Sequence, residues 1–178
     1  MIPEIGHFVL WMALAVSVAL GVFPLLGAQR GRADWIALGR PLSYALFVLS
    51  AIPFAALVVA FIQHDFTVEY VAQNSNSELP IYYRITAVWG GHEGAMLLWL
   101  LMQAGWILAV ALFSRSLPER EVARVLGVMG LLNIGFLLFT LLVSNPFDRL
   151  LPAPADGRDL NPLLQDPGMI FHPPMLYM

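Results

Sequence analysis

Long apolar runs separated by shorter polar connections make up most of the chain. Four of these runs lie at about 5–27, 41–63, 93–113 and 122–143. An α-helix rises about 1.5 Å per residue, so about 20 apolar residues cross the roughly 30 Å hydrocarbon core of a bilayer. The pattern therefore predicts an all-α integral membrane protein, with a four-helix transmembrane region over residues 1–143.

The polar connection over residues 64–92 is the longest one between the runs. Phe66, Val68 and Tyr70 alternate with polar residues, turn-forming residues occupy 74–78, and aromatic and β-branched residues return over 81–86. Such stretches on both sides of a turn are typical of two paired strands. We therefore predict a short β-hairpin in this loop.

The tail over residues 144–178 is rich in proline and aspartate and ends in an apolar stretch. Pro173 and Pro174 stand directly before its last apolar residues. Proline fits the first turn of a helix, where its missing N–H has no partner in any case. We therefore expect the tail to lead into a further helix that is missing here, so that the chain is a fragment or one piece of a split protein.

The composition supports a membrane protein and excludes several classes of site. Hydrophobic residues make up 59% of the chain and charged residues 12%, with a mean hydropathy of +0.74, whereas charged residues are about 25% of an ordinary soluble domain. The chain has no cysteine and therefore no disulfide, thiolate nucleophile or cysteine zinc site of its own. Its net charge of -3 argues against a nucleic-acid partner, because such proteins concentrate positive charge on one face.

Arginine is distributed unevenly between the two sets of connections. Cytoplasmic connections of membrane proteins carry an excess of Lys and Arg. The connections after the first and third runs hold Arg30, Arg32, Arg40, Arg115, Arg120 and Arg124, whereas the other set holds Arg84, Arg149 and Arg158. We therefore predict that the first set faces the cytoplasm, and that both chain ends, the loop and the tail lie on the outer face.

The stretch WGGHEG, from Trp89 to Gly94, joins the loop to the third run. His92 and Glu93 resemble the start of a zinc-protease motif, but that motif needs a second histidine at position 96, which is Met96. The glycines resemble a phosphate-binding loop, but no Lys-Ser or Lys-Thr pair follows them. The sequence excludes both of these sites.

One face of the third run carries large and polar side chains. Residues three and four apart share a side of a helix, and here they are His92, Met96, Trp99, Gln103 and Trp106. In one interpretation the tryptophans pack against neighbouring helices and Gln103 bonds a helix such as the one that carries Asn133. In the other, the face is the wall of a site for a flat aromatic ligand, with His92 and Trp89 at its mouth.

His172 is a candidate metal ligand in the tail. The proline that follows disfavours a helical backbone at His172 and favours an extended one, so we expect its ring to project beside the next helix. Its neighbours in sequence are apolar, namely Met169, Phe171, Met175 and Tyr177. A neutral imidazole in such surroundings is able to bind haem iron while its neighbours contact the macrocycle. The residues alone favour a structural or interfacial histidine over a haem ligand.

Several long strings in the chain are similar to one known family. They are MIPEIGHFVLWMAL, TVEYVAQNSNSELPIYYRITAVWGGHEGAMLLW, SNPFDRLLP and GRDLNPLLQDPGMIFHPPMLYM. On these strings the chain resembles the N-terminal part of the CcmF family, the large membrane subunit of the cytochrome c haem lyase in many bacteria and in plant mitochondria. The resemblance covers essentially the whole chain.

The resemblance implies a role in attaching haem b to cytochromes c. Family members join the vinyl groups of haem, delivered by the chaperone CcmE, to the two thiols of a CxxCH motif in apocytochrome c. CcmH and, in many organisms, CcmI are partner subunits. The resemblance also implies a multi-pass protein of the bacterial inner membrane with its functional face in the periplasm, in contact with membrane lipid.

The resemblance implies site residues as well. His172 matches the first of two periplasmic histidines that hold haem in the family, so it is expected to be an axial ligand. Further candidates for haem contact are Trp89, His92, Arg84 and Arg158, the arginines through the haem propionates. The chain departs from the family in lacking the tryptophan-rich WWD segment, the second periplasmic histidine and the helices that hold a second, structural b-type haem. The remaining C-terminal part of CcmF is therefore a further expected partner.

Two other functions remain open at this point. The chain could be a scaffold segment of the maturation complex, with no haem role of its own. It could also be a transporter subunit, which would have a similar hydropathy pattern. A transporter predicts an ionisable side chain deep in a span, whereas Gln103 and Asn133, the strongly polar side chains there, do not titrate.

Overall fold

The computed structural model describes residues 1–177, apart from the side chain of Met169. It confirms an all-helical fold with four helices that are long and apolar enough to cross a membrane. These are α1 (Ile2–Arg30), α3 (Gly39–Ile62), α6 (His92–Phe113) and α7 (Glu119–Leu142). The described chain also contains four shorter α-helices and a 3-10 helix over Pro162–Gln165. The shorter α-helices are α2 (Ala33–Ala37), α4 (Glu69–Asn74), α5 (Ile81–Ala87) and α8 (Pro167–Tyr177).

The four long helices form a bundle in which α1 contacts α3 and α7, and α6 contacts α3 and α7. Small residues allow α1 and α7 to approach closely, as is common between helices in membranes. A Cβ atom on Gly130 would lie 2.9 Å from the backbone nitrogen of Gly21. Ser17 of α1 donates a 2.9 Å hydrogen bond to the Gly130 carbonyl, so the two helices also share a polar contact inside the bundle.

The connecting segments gather at two opposite ends of the bundle. At one end, Arg40 pairs with Glu119 at 3.0 Å and Arg120 donates to the Ala28 carbonyl at 2.6 Å. At the other end, residues 63–91 and 143–177 form a layer over the helix ends, which we call the cap. Arg149 of the cap pairs with Glu4 at the start of α1. The chain start, the loop and the tail therefore share one end.

The predicted β-hairpin is wrong, because helices α4 and α5 form in its place. Val68 makes an isolated antiparallel bridge to Arg149 of the tail instead of pairing within the loop. Beyond this bridge the chain turns into α4, which buries Tyr70, Val71 and Ala72. The loop's β-forming residues thus find their partners in the tail and the bundle, which alternation along the loop does not reveal.

The extended backbone expected at His172 is also wrong. His172, Pro173 and Pro174 all lie inside α8, which begins at Pro167. The φ angle of proline is compatible with a helix, and its cost there comes from the missing N–H and from crowding of the preceding turn. The tail therefore enters its last described helix well before the proline pair.

Candidate functional site

A tight turn between α5 and α6 is built around the buried hydroxyl of Tyr70. This hydroxyl donates to the Val88 carbonyl at 3.0 Å and accepts the Gly91 N–H at 2.9 Å. Burial raises the pKa of Tyr70, so the phenol stays protonated and remains a donor. Gly94 packs so closely that a Cβ atom there would lie 1.6 Å from the Val88 oxygen. Tyr70 and Gly94 together fix the path of the WGGHEG stretch.

This turn and α5 contact the segment that leads to His172. The indole Nε1 of Trp89 donates to the Ile170 carbonyl in α8 at 3.1 Å. The hydroxyl of Tyr83 donates to the Gln165 carbonyl, just before α8, at 3.0 Å. Trp89 therefore contacts the helix that carries His172, and its indole N–H is directed at backbone.

His172 lies exposed on α8 and is flanked by large apolar side chains. His172 and Leu176 are four residues apart, as are Phe171 and Met175, so each pair shares a side of the helix. Phe171, Met175 and Leu176 are 68%, 65% and 67% exposed. An imidazole beside exposed apolar side chains has the chemistry needed to bind haem. The imidazole nitrogen is able to coordinate the iron, and the apolar side chains are able to pack against the porphyrin ring.

The face of α6 that begins at His92 contains a packed tryptophan and also borders an open groove. Trp99 packs on the ring edge of Phe136, with centroids 4.6 Å apart, and stacks on Tyr177 of α8 at 5.6 Å. Next to it, a groove of about 400 Å³ between α6 and α7 is lined by His92, Met96, Leu132, Gly135, Phe136 and Phe139. Trp99 is thus a packing residue, whereas His92 lies at an open groove.

The side chain of His92 is oriented by its neighbours. Its Nδ1 lies 2.7 Å from the Ser144 hydroxyl oxygen, and its ring meets the edge of Phe139 with centroids 5.7 Å apart. The bond suggested between Gln103 and Asn133 is not formed. Asn133 instead donates to Ser17 at 3.3 Å, and within residues 1–177 the Gln103 side-chain oxygen is buried without a partner.

The two arginines proposed to contact haem propionates differ in their surroundings. Arg84 donates to the carbonyls of Leu79 at 2.5 Å and Ser77 at 3.2 Å, and so stabilises the start of α5. Arg158 is exposed, and its backbone N–H is bonded to the Ala72 carbonyl at 2.7 Å. Arg158 is therefore the more exposed of the two arginines, while Arg84 is engaged by backbone carbonyls.

The cap is further cross-linked between loop and tail. Ser77 donates both its N–H, at 2.9 Å, and its hydroxyl, at 2.6 Å, to the carboxylate of Asp156. These bonds hold the pKa of Asp156 below its usual value. The Asp156 carboxylate is therefore ionised at neutral pH and joins the loop to the tail near Arg158.

Sequence reasoning missed Tyr70 and Tyr83 as residues that organise this region. Both are aromatic residues of the loop, and the alternating pattern assigns them to the strands of the predicted hairpin. Their hydrogen bonds reach 18 and 82 residues along the chain. The spacing of residues within one helix or strand does not predict hydrogen bonds between residues so far apart in sequence.

Comparison with known sequences places these features in a family. The sequence model described as "Cytochrome C assembly protein" matches residues 89–178. Over the whole chain, identity is 55% to "Cytochrome c-type biogenesis protein CcmF" of Haemophilus influenzae, 56% to that of Pseudomonas aeruginosa and 55% to that of Escherichia coli. The chain covers 27–28% of the length of these relatives.

A solved structure shares the fold. The structure titled "Cytochrome c Heme Lyase CcmF" superposes on 99% of this chain with a TM-score of 0.84 and 25% sequence identity, and the match covers 28% of that structure. The bundle and its cap are therefore an arrangement already seen in one segment of a larger membrane protein.

Proposed function

The chain belongs to the cytochrome C assembly protein family, and from this premise we propose that it is part of a CcmF-type haem lyase that holds haem at the outer membrane surface. The observation that carries the proposal is the exposed imidazole of His172 on α8, beside the exposed apolar side chains of Phe171, Met175 and Leu176. His172 would be one axial ligand of the haem iron. Arg158, the more exposed of the two candidate arginines, would contact a propionate.

In this proposal haem b is the substrate, and the thiols come from the apocytochrome. Each thiol of the CxxCH motif adds its sulfur to one carbon of a haem vinyl group, and its proton goes to the neighbouring carbon. The thiolate is the reactive form. The contribution of this chain is to fix the haem edge relative to the two thiols, which is an effect of orientation and proximity.

The larger protein would supply the rest of the site. Because the chain covers 28% of its Haemophilus relative, the second iron ligand and the WWD segment are expected in the remaining C-terminal part. CcmE would deliver haem, and CcmH with CcmI would present the apocytochrome. The protein would lie in the inner membrane with the cap in the periplasm, where these partners act.

The buried polar side chains do not favour a transporter. Within the described chain, the fully buried ones in the long helices are Ser17, Ser43, Ser50, Asn133 and Thr140, and Gln103 adds a buried side-chain oxygen; none of them titrates. An ion or proton pathway usually needs a titratable group at this depth. The haem lyase proposal therefore rests on the cap and leaves the bundle a supporting role.

Substitution of the proposed ligand tests this function in cells. His172→Ala in the complete protein should abolish holocytochrome c formation while the variant accumulates in the membrane at the wild-type level. The matched control is His64→Asn, which removes another cap histidine at a position with φ of 54°, a conformation that asparagine tolerates. Normal holocytochrome yield in His172→Ala would leave the chain a scaffold segment without a haem role.

A further inference from the structure

The proline pair after His172 leaves α8 with unfilled backbone acceptors. In a regular α-helix the carbonyl of residue i accepts the N–H of residue i+4. For Ile170 that donor would come from position 174, which is Pro174 and has no N–H. The Ile170 carbonyl, two residues before the candidate haem ligand, therefore lacks its helical partner.

Trp89 fills this place from outside the helix. Its indole Nε1 donates to the Ile170 carbonyl at 3.1 Å, a normal length for such a bond. Indole has one N–H and no acceptor, so it suits a carbonyl that needs a single donor. The indole N–H of Trp89 thus donates the hydrogen bond that a backbone N–H at position 174 would otherwise donate.

The backbone on both sides of Trp89 is held by Tyr70. The preceding residue, Val88, accepts the Tyr70 hydroxyl at its carbonyl, and Gly91, two residues after Trp89, donates its N–H to the same hydroxyl. Tyr70 is buried and packs on Phe61 of α3, with ring centroids 5.5 Å apart. A continuous set of contacts therefore runs from the transmembrane bundle through Tyr70 and Trp89 to α8.

We propose that Trp89 is a positioning residue for His172, replacing the backbone donor that Pro174 removes and thereby fixing the helical turn from which the imidazole projects. The proline pair makes the turn stiff, because it fixes φ at two successive residues. The indole bond sets where that stiff turn lies relative to the bundle. The part of this proposal that concerns haem rests on the function proposed above.

Three variants of the complete protein isolate the bond. Trp89→Phe keeps an aromatic ring but removes the N–H. Pro174→Ala restores a backbone N–H at the position that pairs with Ile170 in a regular helix. The double variant Trp89→Phe/Pro174→Ala therefore lacks the indole donor but regains a donor for the same carbonyl.

Two measurements on these variants separate the geometry from the haem chemistry. Peptide-level hydrogen exchange of haem-free protein reports the order of α8, and a haem titration followed by visible absorption reports ligand positioning. Loss of one such hydrogen bond should weaken haem binding by about fivefold or more. We expect Trp89→Phe to raise exchange in α8 and weaken haem binding, and the double variant to recover both.

Other results of these two measurements would contradict one part of the proposal. Unchanged exchange in Trp89→Phe, or no recovery in the double variant, would overturn the proposed bond. Raised exchange with unchanged haem affinity would overturn the positioning role, provided that His172→Ala abolishes binding in the same assay. If His172→Ala binds haem normally, the haem function fails, and the exchange data alone decide whether Trp89 supports α8.

Discussion

Gly94 shows how a single residue determines the geometry of the cap. It lies in the first turn of α6, where a Cβ atom would come within 1.6 Å of the Val88 oxygen and 2.7 Å of the Tyr70 hydroxyl. The Val88 oxygen belongs to the turn that carries Trp89, and the Tyr70 hydroxyl is bonded to that turn. No side chain larger than hydrogen fits there unless this turn moves.

Gly94→Ala should therefore destabilise the protein by at least about 2 kcal/mol, because overpacking against backbone cannot relax by a rotamer change. Gly105→Ala in the same helix is the matched control, since its Cβ would meet only an ordinary contact at 3.9 Å from Phe47. Thermal unfolding in detergent would compare the two variants. Equal melting temperatures for both would contradict the geometry of the turn.

At this scale the sequence predicts candidate site residues but not their contacts. The string around His172 resembles a family, and this resemblance alone predicts the haem ligand; the structure shows that the side chain is exposed. The contact of Trp89 with haem stays a prediction, and the structure adds a bond from its N–H to the Ile170 carbonyl that the sequence does not predict. The missing donor at Pro174 is a signal present in the sequence, but it does not reveal which side chain supplies the replacement.

At the scale of elements, the long helices were predictable and the short ones were not. Lipid forces a crossing segment to satisfy its backbone hydrogen bonds internally, so an apolar run of sufficient length predicts a helix whatever its neighbours are. The loop 64–92 has no such constraint. Its helices depend on contacts with other elements, such as the bridge from Val68 to Arg149 and the packing of Tyr70 on Phe61.

Close packing between α1 and α7 gives a prediction at the same scale. Gly130→Ala would place a methyl group 2.9 Å from the Gly21 nitrogen, so α7 would have to move away from α1 and strain the bond from Ser17 to the Gly130 carbonyl. We expect a loss of about 1–3 kcal/mol in unfolding free energy.

Gly135→Ala on the same helix is the control for this prediction, because its Cβ would meet nothing within 4 Å. It should leave stability unchanged or raise it slightly, since alanine favours helices over glycine. Denaturation in mixed detergent would measure the free energy of unfolding of both variants. A Gly130→Ala protein as stable as Gly135→Ala would show that the two helices are not in close contact.

At the scale of the whole molecule, the arginine distribution and the fold together define two faces. Arg40 and Arg120 make their bonds at one end of the bundle, while α8 and the rest of the cap lie at the other. The helix order alone requires this separation into two ends. The excess of arginine predicts which end faces the cytoplasm.

Alkaline phosphatase fusions test this orientation, because the enzyme is active only outside the cytoplasm. A fusion after Asn76 in the cap should be active, and one after Arg120 at the opposite end should be inactive. Matched expression levels of the two fusions, measured by immunoblot, provide the control. The reverse pattern of activity would place the cap in the cytoplasm, where it could not meet a periplasmic apocytochrome.

The visible absorption spectrum of the complete protein purified from its native membranes, compared between wild type and His172→Ala, tests the proposed haem ligand directly. We expect the wild type to carry haem at the cap and the substitution to remove this component of the spectrum, while protein yield and helix content stay the same. A spectrum unchanged by His172→Ala would show that any bound haem is held by other residues, and would contradict the role of this segment in the lyase site.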